Sequence, residues 1–275
     1  MDDHILAIYC ICDDLLINLN HCEDSQRKMS DAEIMTTAII AMLYFGGNFS
    51  SAAKMLNTPK YIPGMLSKSQ FNRRLHKISH LFVLCFQILS QTWKELNSDS
   101  IYSIDSFPVA VCDNYRIKRC KIYQQEQYRG YTASKRRYFY GVKVHLMVTE
   151  KGQPIEIFLT PGSISDTQAL KAYDFDLKPN SIVYADKAYN DYKFEDLLKE
   201  LGQINLMPIR KINSKRQWPD YVQAMQHYHR KAVETAASLI TKKMPKSIHA
   251  VTKKGFELKV YLFVLAFSCS CLVTT

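Results

Sequence analysis

The chain has 275 residues, 47% of them hydrophobic, which excludes a disordered polypeptide and leaves room for one large domain or two smaller ones. Lys and Arg number 36 against 26 Asp and Glu, a net charge of +10 that favours polyanionic partners, nucleic acid before anionic membrane. The eight cysteines include no C-x-x-C pair, and the start Met1-Asp-Asp-His lacks the basic opening of a secretory signal, so free thiols in a reducing cytoplasm are expected in place of a disulfide framework.

Residues 1–98 read as an all-helical region. Ser30-Asp-Ala-Glu33 is a capping box, and the helix it opens carries Ile34, Ala38, Met42 and Phe45 along one side before stopping at Gly46-Gly47. A short helix over Ser51–Leu56 ends before Pro59, and Pro63-Gly64 marks a turn. Ser67-Lys-Ser-Gln70 caps a further helix whose first turns hold Arg73, Arg74, His76 and Lys77 and whose later part, Leu81–Leu89, is apolar almost all round. A short helix, a turn and a helix with a basic start fit a helix-turn-helix in a DNA groove, although the turn is longer than that motif usually allows. They fit a plain helical bundle with a solvated basic face as well.

From Ile101 the period changes to two. Ile101–Val109 alternates and holds Asp105 near its middle, with Pro108 confining its far end to an edge or a strand terminus. Tyr138–Val148 alternates more clearly, with Tyr138, Tyr140, Val142, Val144, Leu146 and Val148 on one face. Gly152 closes a tight hairpin into Pro154–Thr160, which makes three antiparallel strands. A helix at Asp166–Tyr173 leads to a strand at Ile182–Ala185, and a helix at Tyr192–Leu201 leads to a strand at Ile204–Pro208. A long polar helix around Ala224–Ile240 comes last. This order belongs to the mixed α/β class, a sheet antiparallel on one side and parallel on the other with helices covering it. The apolar run Val260–Val273 falls short of a membrane span, follows Lys259 and reads as a buried core element.

Three acids stand out. Asp186 ends the Ile182–Ala185 strand, where open α/β sheets bind ligands, though Asp is also a residue that merely turns a chain into its next helix. Glu234 follows Arg230 by one helical turn on a face apart from Val233, Ala236, Ala237 and Ile240, which taken alone describes a surface ion pair. With Asp105 on the first strand, the three can meet at one sheet edge. Hard divalent cations take oxygen ligands, and two of them about 4 Å apart suit an in-line phosphoryl displacement that needs no nucleophilic side chain. Neither a G-x-S-x-G, a P-loop nor an H-E-x-x-H occurs. Among the other acids, Asp113, Asp166 and Asp191, Asp166 is the alternative ligand, and it also suits a helix N-terminus. His145 shares a strand face with Lys143 and reads as a structural group, not a general base.

The chain resembles the DDE transposases, whose catalytic domain is RNase H-like, and more closely those of bacterial insertion sequences in the insertion sequence 982 family. The stretches that carry the resemblance are Ser103-Ile-Asp-Ser-Phe-Pro-Val109, Tyr140-Gly-Val-Lys-Val-His145, Pro161-Gly-Ser-Ile-Ser-Asp166, Tyr184-Ala-Asp-Lys-Ala-Tyr189, Arg230-Lys-Ala-Val-Glu-Thr235 and Gly255-Phe-Glu-Leu-Lys-Val-Tyr261. The resemblance implies a metal-binding triad of Asp105, Asp186 and Glu234, Mg²⁺ with Mn²⁺ as a substitute, and cleavage at insertion-sequence ends followed by joining of the freed 3′-hydroxyl to target DNA. It further implies a homodimer on paired ends, in the bacterial cytoplasm and nucleoid-associated, with residues 1–98 as a DNA-binding region and 99–275 as the catalytic domain. Arg230 and Glu234 match the family's Tyr-Arg-Glu-Lys signature at the right spacing. The tyrosine place holds His227 with Tyr228 one residue late, and the lysine place holds Thr241 with Lys242 beside it. The alternatives are an RNase H-like nuclease that only hydrolyses and an inactive, transposase-derived DNA-binding protein.

The long connection between the first two strands holds Arg116, Lys118, Arg119, Lys121, Arg129, Lys135, Arg136 and Arg137, interleaved with Tyr115, Tyr123, Tyr128 and Tyr131. Arginine clamps phosphate and tyrosine stacks on unpaired bases, so this stretch is expected to touch DNA; a solvated charge run is the plainer alternative. The expected DNA-contacting residues are Arg73, Arg74, Lys77, Arg119, Arg136, Arg137, Lys143, Lys187, Arg230 and Lys231.

Overall fold

A computed structural model describes residues 1–132 and 136–273. The chain divides into two compact units, Met1–Leu89 with Ile240–Thr275, and Ser90–Leu239. In this division the C-terminal residues from Ile240 group with the first unit.

The first unit is helical: α1 (Asp2–Asn18), α2 (Asp31–Tyr44), α3 (Phe49–Leu56), α4 (Lys68–Lys77) and the start of α5 (Ser79–Leu96). Ser30 and Glu33 make both bonds of the capping box that opens α2, at 3.1 and 2.7 Å. The helix is buried all round, and α1, α3 and α4 pack on it. It ends where Gly46 and Gly47 take φ of 55° and 77°, values open to glycine at little cost. The single helix expected after Ser67 is in fact two, α4 and α5, parted at Ile78. No Gly or Pro marks that break, so nothing in the local sequence announces it.

The sequence also ends differently from expectation. After the long polar helix comes another, Lys253–Val273, which belongs to the first unit and packs on α1 and α2. Its inner residues Phe256, Val260, Leu262–Ala266 and Cys269 are buried. By length and composition it could cross a membrane, since it starts well before the apolar run at Val260; half of the qualifying window is buried in the fold. Lys259 is accommodated by reaching out to the His249 carbonyl at 2.6 Å, its ammonium passing 5.1 Å from the Phe49 ring centre. Among the described residues, which include all eight cysteines, no disulfide forms.

The second unit holds a mixed sheet of β1 (Ile101–Cys112), β2 (Arg129–Thr132), β3 (Arg137–Thr149), β4 (Pro154–Pro161), β5 (Ile182–Ala185) and β6 (Asn205–Pro208). Strand β1 lies between antiparallel β3 and parallel β5, β6 follows β5 in parallel, and β2 and β4 share the far flank of β3. Three antiparallel strands followed by parallel ones is the RNase H-like arrangement expected. Helices α6 (Asp166–Leu170), α7 (Tyr192–Gly202) and α8 (Asp220–Lys243) accompany the sheet, and the C-terminal helix is then α9.

Pro108 neither ends β1 nor breaks it. Beyond Ile104 the strand has β3 alone as a neighbour, so the second half of β1 is an edge that tolerates a missing N–H. Strand β2 lies inside the basic connection, too short and polar to be read as a strand. Gly141 makes the β1–β3 approach possible: a Cβ there would stand 2.1 Å from the Val109 carbonyl oxygen.

Candidate active site

The parallel register of β1 and β5 sets the first two acids together. Ile104 is opposite Ala185, and Asp105 and Asp186 are the next residues of their chains. The Asp105 carboxylate accepts the Ser106 N–H at 2.7 Å. Asp186 directly precedes a short 3-10 turn, Lys187–Tyr189, and its backbone carbonyl accepts the Tyr189 N–H at 3.0 Å.

Helix α8 brings the third acid. Two buried polar residues that the sequence reading missed fix its position. Gln226 Nε2 donates to the Met207 and Pro208 carbonyls, each at 3.1 Å, which ties α8 to the end of β6. The His229 ring lies flat on Tyr184 of β5, centroids 5.0 Å apart and planes 3° from parallel. Gln226, His229, Val233 and Ala236 follow one another at helical spacing and are all buried. The first two carry polar heads, which is why an apolar pattern search passes over them.

With α8 so held, Arg230 meets all three carboxylates. Its guanidinium lies 3.5 Å from Asp105 Oδ2, 3.7 Å from Asp186 Oδ1 and 3.1 Å from Glu234 Oε1. The arginine is only 11% exposed while Glu234 is 53% exposed, so the guanidinium is buried and the glutamate sits at the rim of the site, with Asp105 and Asp186 as further partners of the arginine. Burial pushes the Asp105 carboxyl up to about 6; the Ser106 N–H and Arg230 oppose the rise, and Asp186 and Asp166 add to it.

Three carboxylates against one guanidinium leave an excess of two negative charges. An all-oxygen, anionic donor set of that kind suits a hard divalent cation. The oxygens are not yet gathered on one point. Among the described residues only His21, Glu23 and Asp31 of the first unit bring possible ligand atoms within 4.8 Å of one another. That cluster is already balanced: Arg27 pairs with Glu23 at 3.0 Å, and Arg74 with Asp31 at 2.5 Å.

The remaining candidate residues fall into two groups. Arg73, Lys77, Arg119, Arg136, Arg137, Lys187 and Lys231 are exposed. Arg74 is taken up by Asp31 and Glu23. Lys143 is half-buried, donating to the Ile164 carbonyl at 2.9 Å and lying 3.4 Å from Asp166. Asp166 also accepts the Ser106 hydroxyl at 2.8 Å, so its charge is answered on the spot. Among the tyrosines of the basic stretch, Tyr115 and Tyr131 are exposed, whereas Tyr123 and Tyr128 are buried with ring centroids 4.1 Å apart. That pair fills the inside of the connection and is not free to stack on bases. Lys135 lies outside the described residues.

His145 behaves as a structural group. Burial lowers its imidazole to about 4, so it is neutral at ordinary pH. It stacks on Phe158 at 4.7 Å, with Nε2 2.9 Å from the Thr160 hydroxyl.

A family model described as "Transposase DDE domain" matches residues 96–251. No curated protein matches the chain. Among solved structures, a cryo-EM structure of the piggyBac transposase synaptic complex with hairpin DNA is similar to 100% of this chain and 73% of that one, with 10% sequence identity and a TM-score of 0.47.

Proposed function

The chain belongs to the DDE transposase family, and from that premise we propose that Asp105, Asp186 and Glu234 are its catalytic triad, cleaving DNA at insertion-sequence ends and joining the freed 3′-hydroxyl to target DNA. The observation that carries this reading is the convergence of the three carboxylates on Arg230, two of them placed by neighbouring strands and one by a helix.

The family implies a divalent metal, and the three carboxylates are the residues that would hold it, Mg²⁺ or Mn²⁺ in its place. When bound, such a cation supplies Lewis-acid polarisation of the phosphoryl group and charge neutralisation for the attacking and leaving oxygens. The protein's own residues do the rest. Gln226 and His229 hold α8 against the ends of β5 and β6, so that Glu234 stays in register with the two aspartates. Arg230 screens the carboxylates from one another while no phosphate is present.

Lys187 and Lys231, next in sequence to Asp186 and Arg230, are exposed and suit a DNA backbone, as do the exposed Arg119, Arg136 and Arg137 of the basic connection and Arg73 and Lys77 in the helical residues 1–98. Residues 99–275 carry the chemistry, and the protein works as a homodimer on paired ends at the bacterial nucleoid. The motif stretches resemble those of the insertion sequence 982 family, and that is the branch of the family proposed for it.

The test is a strand-transfer assay with the element's end DNA, a target plasmid and Mg²⁺ or Mn²⁺, run beside Asp105→Asn, Asp186→Asn and Glu234→Gln. Joined product from the wild type and none from any variant is expected. Cleavage without joining favours the hydrolytic nuclease. Binding with no chemistry in either metal makes this an inactive descendant.

A further inference from the structure

The segment between β6 and α8, residues 209–219, leaves the sheet on the edge where Asp186 lies, the Ile209 N–H donating to the Ala185 carbonyl at 3.0 Å. Arg210 anchors its root. The guanidinium grips Glu195 with both arms, at 2.7 and 2.6 Å, and donates to Asn190 Oδ1 at 2.7 Å. It lies over the rings of Tyr192 and Trp218, 5.0 and 4.8 Å from their centroids, while the Trp218 indole N–H donates to the Pro208 carbonyl at 2.9 Å.

The tip is fastened too. Gln217 Nε2 is within hydrogen-bonding distance of the carbonyls of Lys211, Ile212 and Ser214, at 2.9, 3.1 and 3.2 Å. The Ser214 N–H closes a turn onto the Lys211 carbonyl at 2.9 Å, and its hydroxyl meets that of Tyr192 at 2.5 Å. At the end of this rigid mount the Ile212 side chain stands wholly in solvent, 102% exposed, with exposed Lys211 and Lys215 to either side.

A lone exposed apolar residue is ordinary. A braced one is not, because ordering backbone costs about 1–2 kcal/mol per residue, and here the ordering fixes a side chain that gains no burial. A rigid apolar point flanked by cations is the chemistry of a DNA wedge. Proteins that kink DNA insert Ile, Leu, Phe or Met between base steps while basic groups hold the phosphates.

We propose that Ile212 is such a wedge, entering an unstacked base step of DNA bound at the carboxylate site, with Lys211 and Lys215 on the flanking phosphates. The proposal rests on DNA being this protein's partner. A second copy of the chain is the other possible occupant of the tip. Its own charge of +10 and the two lysines work against that contact.

The full-length protein is tested in EDTA, so that no cleavage intervenes, on two 30-base-pair duplexes of one sequence. One is fully paired, the other carries a central two-nucleotide mismatch, and 2-aminopurine at the centre reports unstacking. Unstacking a step costs a few kcal/mol, so the wild type should prefer the mismatched duplex about tenfold or more and brighten the probe. Ile212→Ala should lose the preference and the brightening while binding the paired duplex within about twofold of wild type, and Ile212→Met should retain both. Ile212 makes no contact that its removal would unfold. A wild type without preference, or an Ile212→Ala variant that keeps it, overturns the wedge and leaves DNA binding standing. Failure to bind either duplex overturns the DNA reading and the wedge with it. If Ile212→Ala instead turns a dimer into a monomer in sedimentation, the tip is a contact between copies and the proposal is wrong.

Discussion

Ile104 and Ala185 stand opposite each other in the parallel ladder of β1 and β5, so Asp105 and Asp186 emerge side by side from neighbouring strands. A shift of one residue in that register would separate them and turn one set of side chains to the other face of the sheet. The short four-residue β5 therefore has one acceptable alignment, and the buried Val183, Tyr184 and Ala185 enforce it.

The pairing has a cost that can be measured. Between about pH 4 and pH 6 the folded protein keeps a proton on Asp105 that the unfolded chain has already released, so stability falls across that window and the deficit persists above it. Asp105→Asn removes the buried charge. The variant should be more stable than wild type at pH 8 by about 1–3 kcal/mol in metal-free urea unfolding, equal to it near pH 4, and inactive in strand transfer. A loss of stability at pH 8 would contradict this account of the site.

Glu156 offers a control away from the acids. Burial raises its carboxyl to about 7, against the pull of the Asp174 N–H, which it accepts at 2.8 Å. Again the folded state holds the proton longer, so the penalty develops from about pH 4.5 to 7. Glu156→Gln keeps an oxygen for that N–H and should raise the melting temperature at pH 8, by the equivalent of about 1–2 kcal/mol after solvent screening, with no gain at pH 4 and full catalytic activity.

Among the described residues Arg210 and Glu195 are the most deeply buried ion pair, 3% and 7% exposed. Breaking such a pair from one side leaves an unanswered charge. Glu195→Ala should cost about 3–5 kcal/mol in denaturant unfolding. Arg210→Lys should also destabilise, because an ammonium replaces neither the two-armed grip nor the stacking. A double replacement by apolar residues should recover part of the loss.

The basic connection predicts a salt response. If Arg116, Lys118 and Arg119 touch DNA phosphates, log affinity should fall linearly with log salt, and each alanine replacement should lower the slope by about 0.9. Fluorescence anisotropy at 50 to 200 mM salt reads this directly. An unchanged slope in the triple variant assigns those charges to solvent.

Much of the fold could be read from the chain, for reasons visible in particular residues. The capping box at Ser30, the hairpin glycine Gly152 with φ of 84°, and the run Ile182–Ala185 are local signals that local structure obeys. The split at Ile78, the four-residue β2 and the return of α9 to the first unit depend on distant packing, and the local sequence is silent about them. The acids Asp105, Asp186 and Glu234 could be picked out by position in their elements. What could not be foreseen is that Arg230 faces all three, or that a glutamine and a histidine anchor the helix bearing Glu234, since both look like surface residues in a linear pattern.

The grouping of α9 with the N-terminal helices has a consequence for how the protein is made. Helix α2 is buried almost all round, and part of its cover is α9, which leaves the ribosome only after the sheet-bearing residues. At ~5–20 residues per second, the first unit waits on the order of ten to forty seconds, with the whole sheet-bearing unit emerging in between, before its own core can close. Residues such as Ile34, Ile39 and Met42 are nascent-chain surface during that interval, a natural target for chaperones and for aggregation at high expression. A frameshift or stop codon between Leu239 and α9 would spare every acid of the candidate site, yet leave the helices at the other end of the chain without their partner.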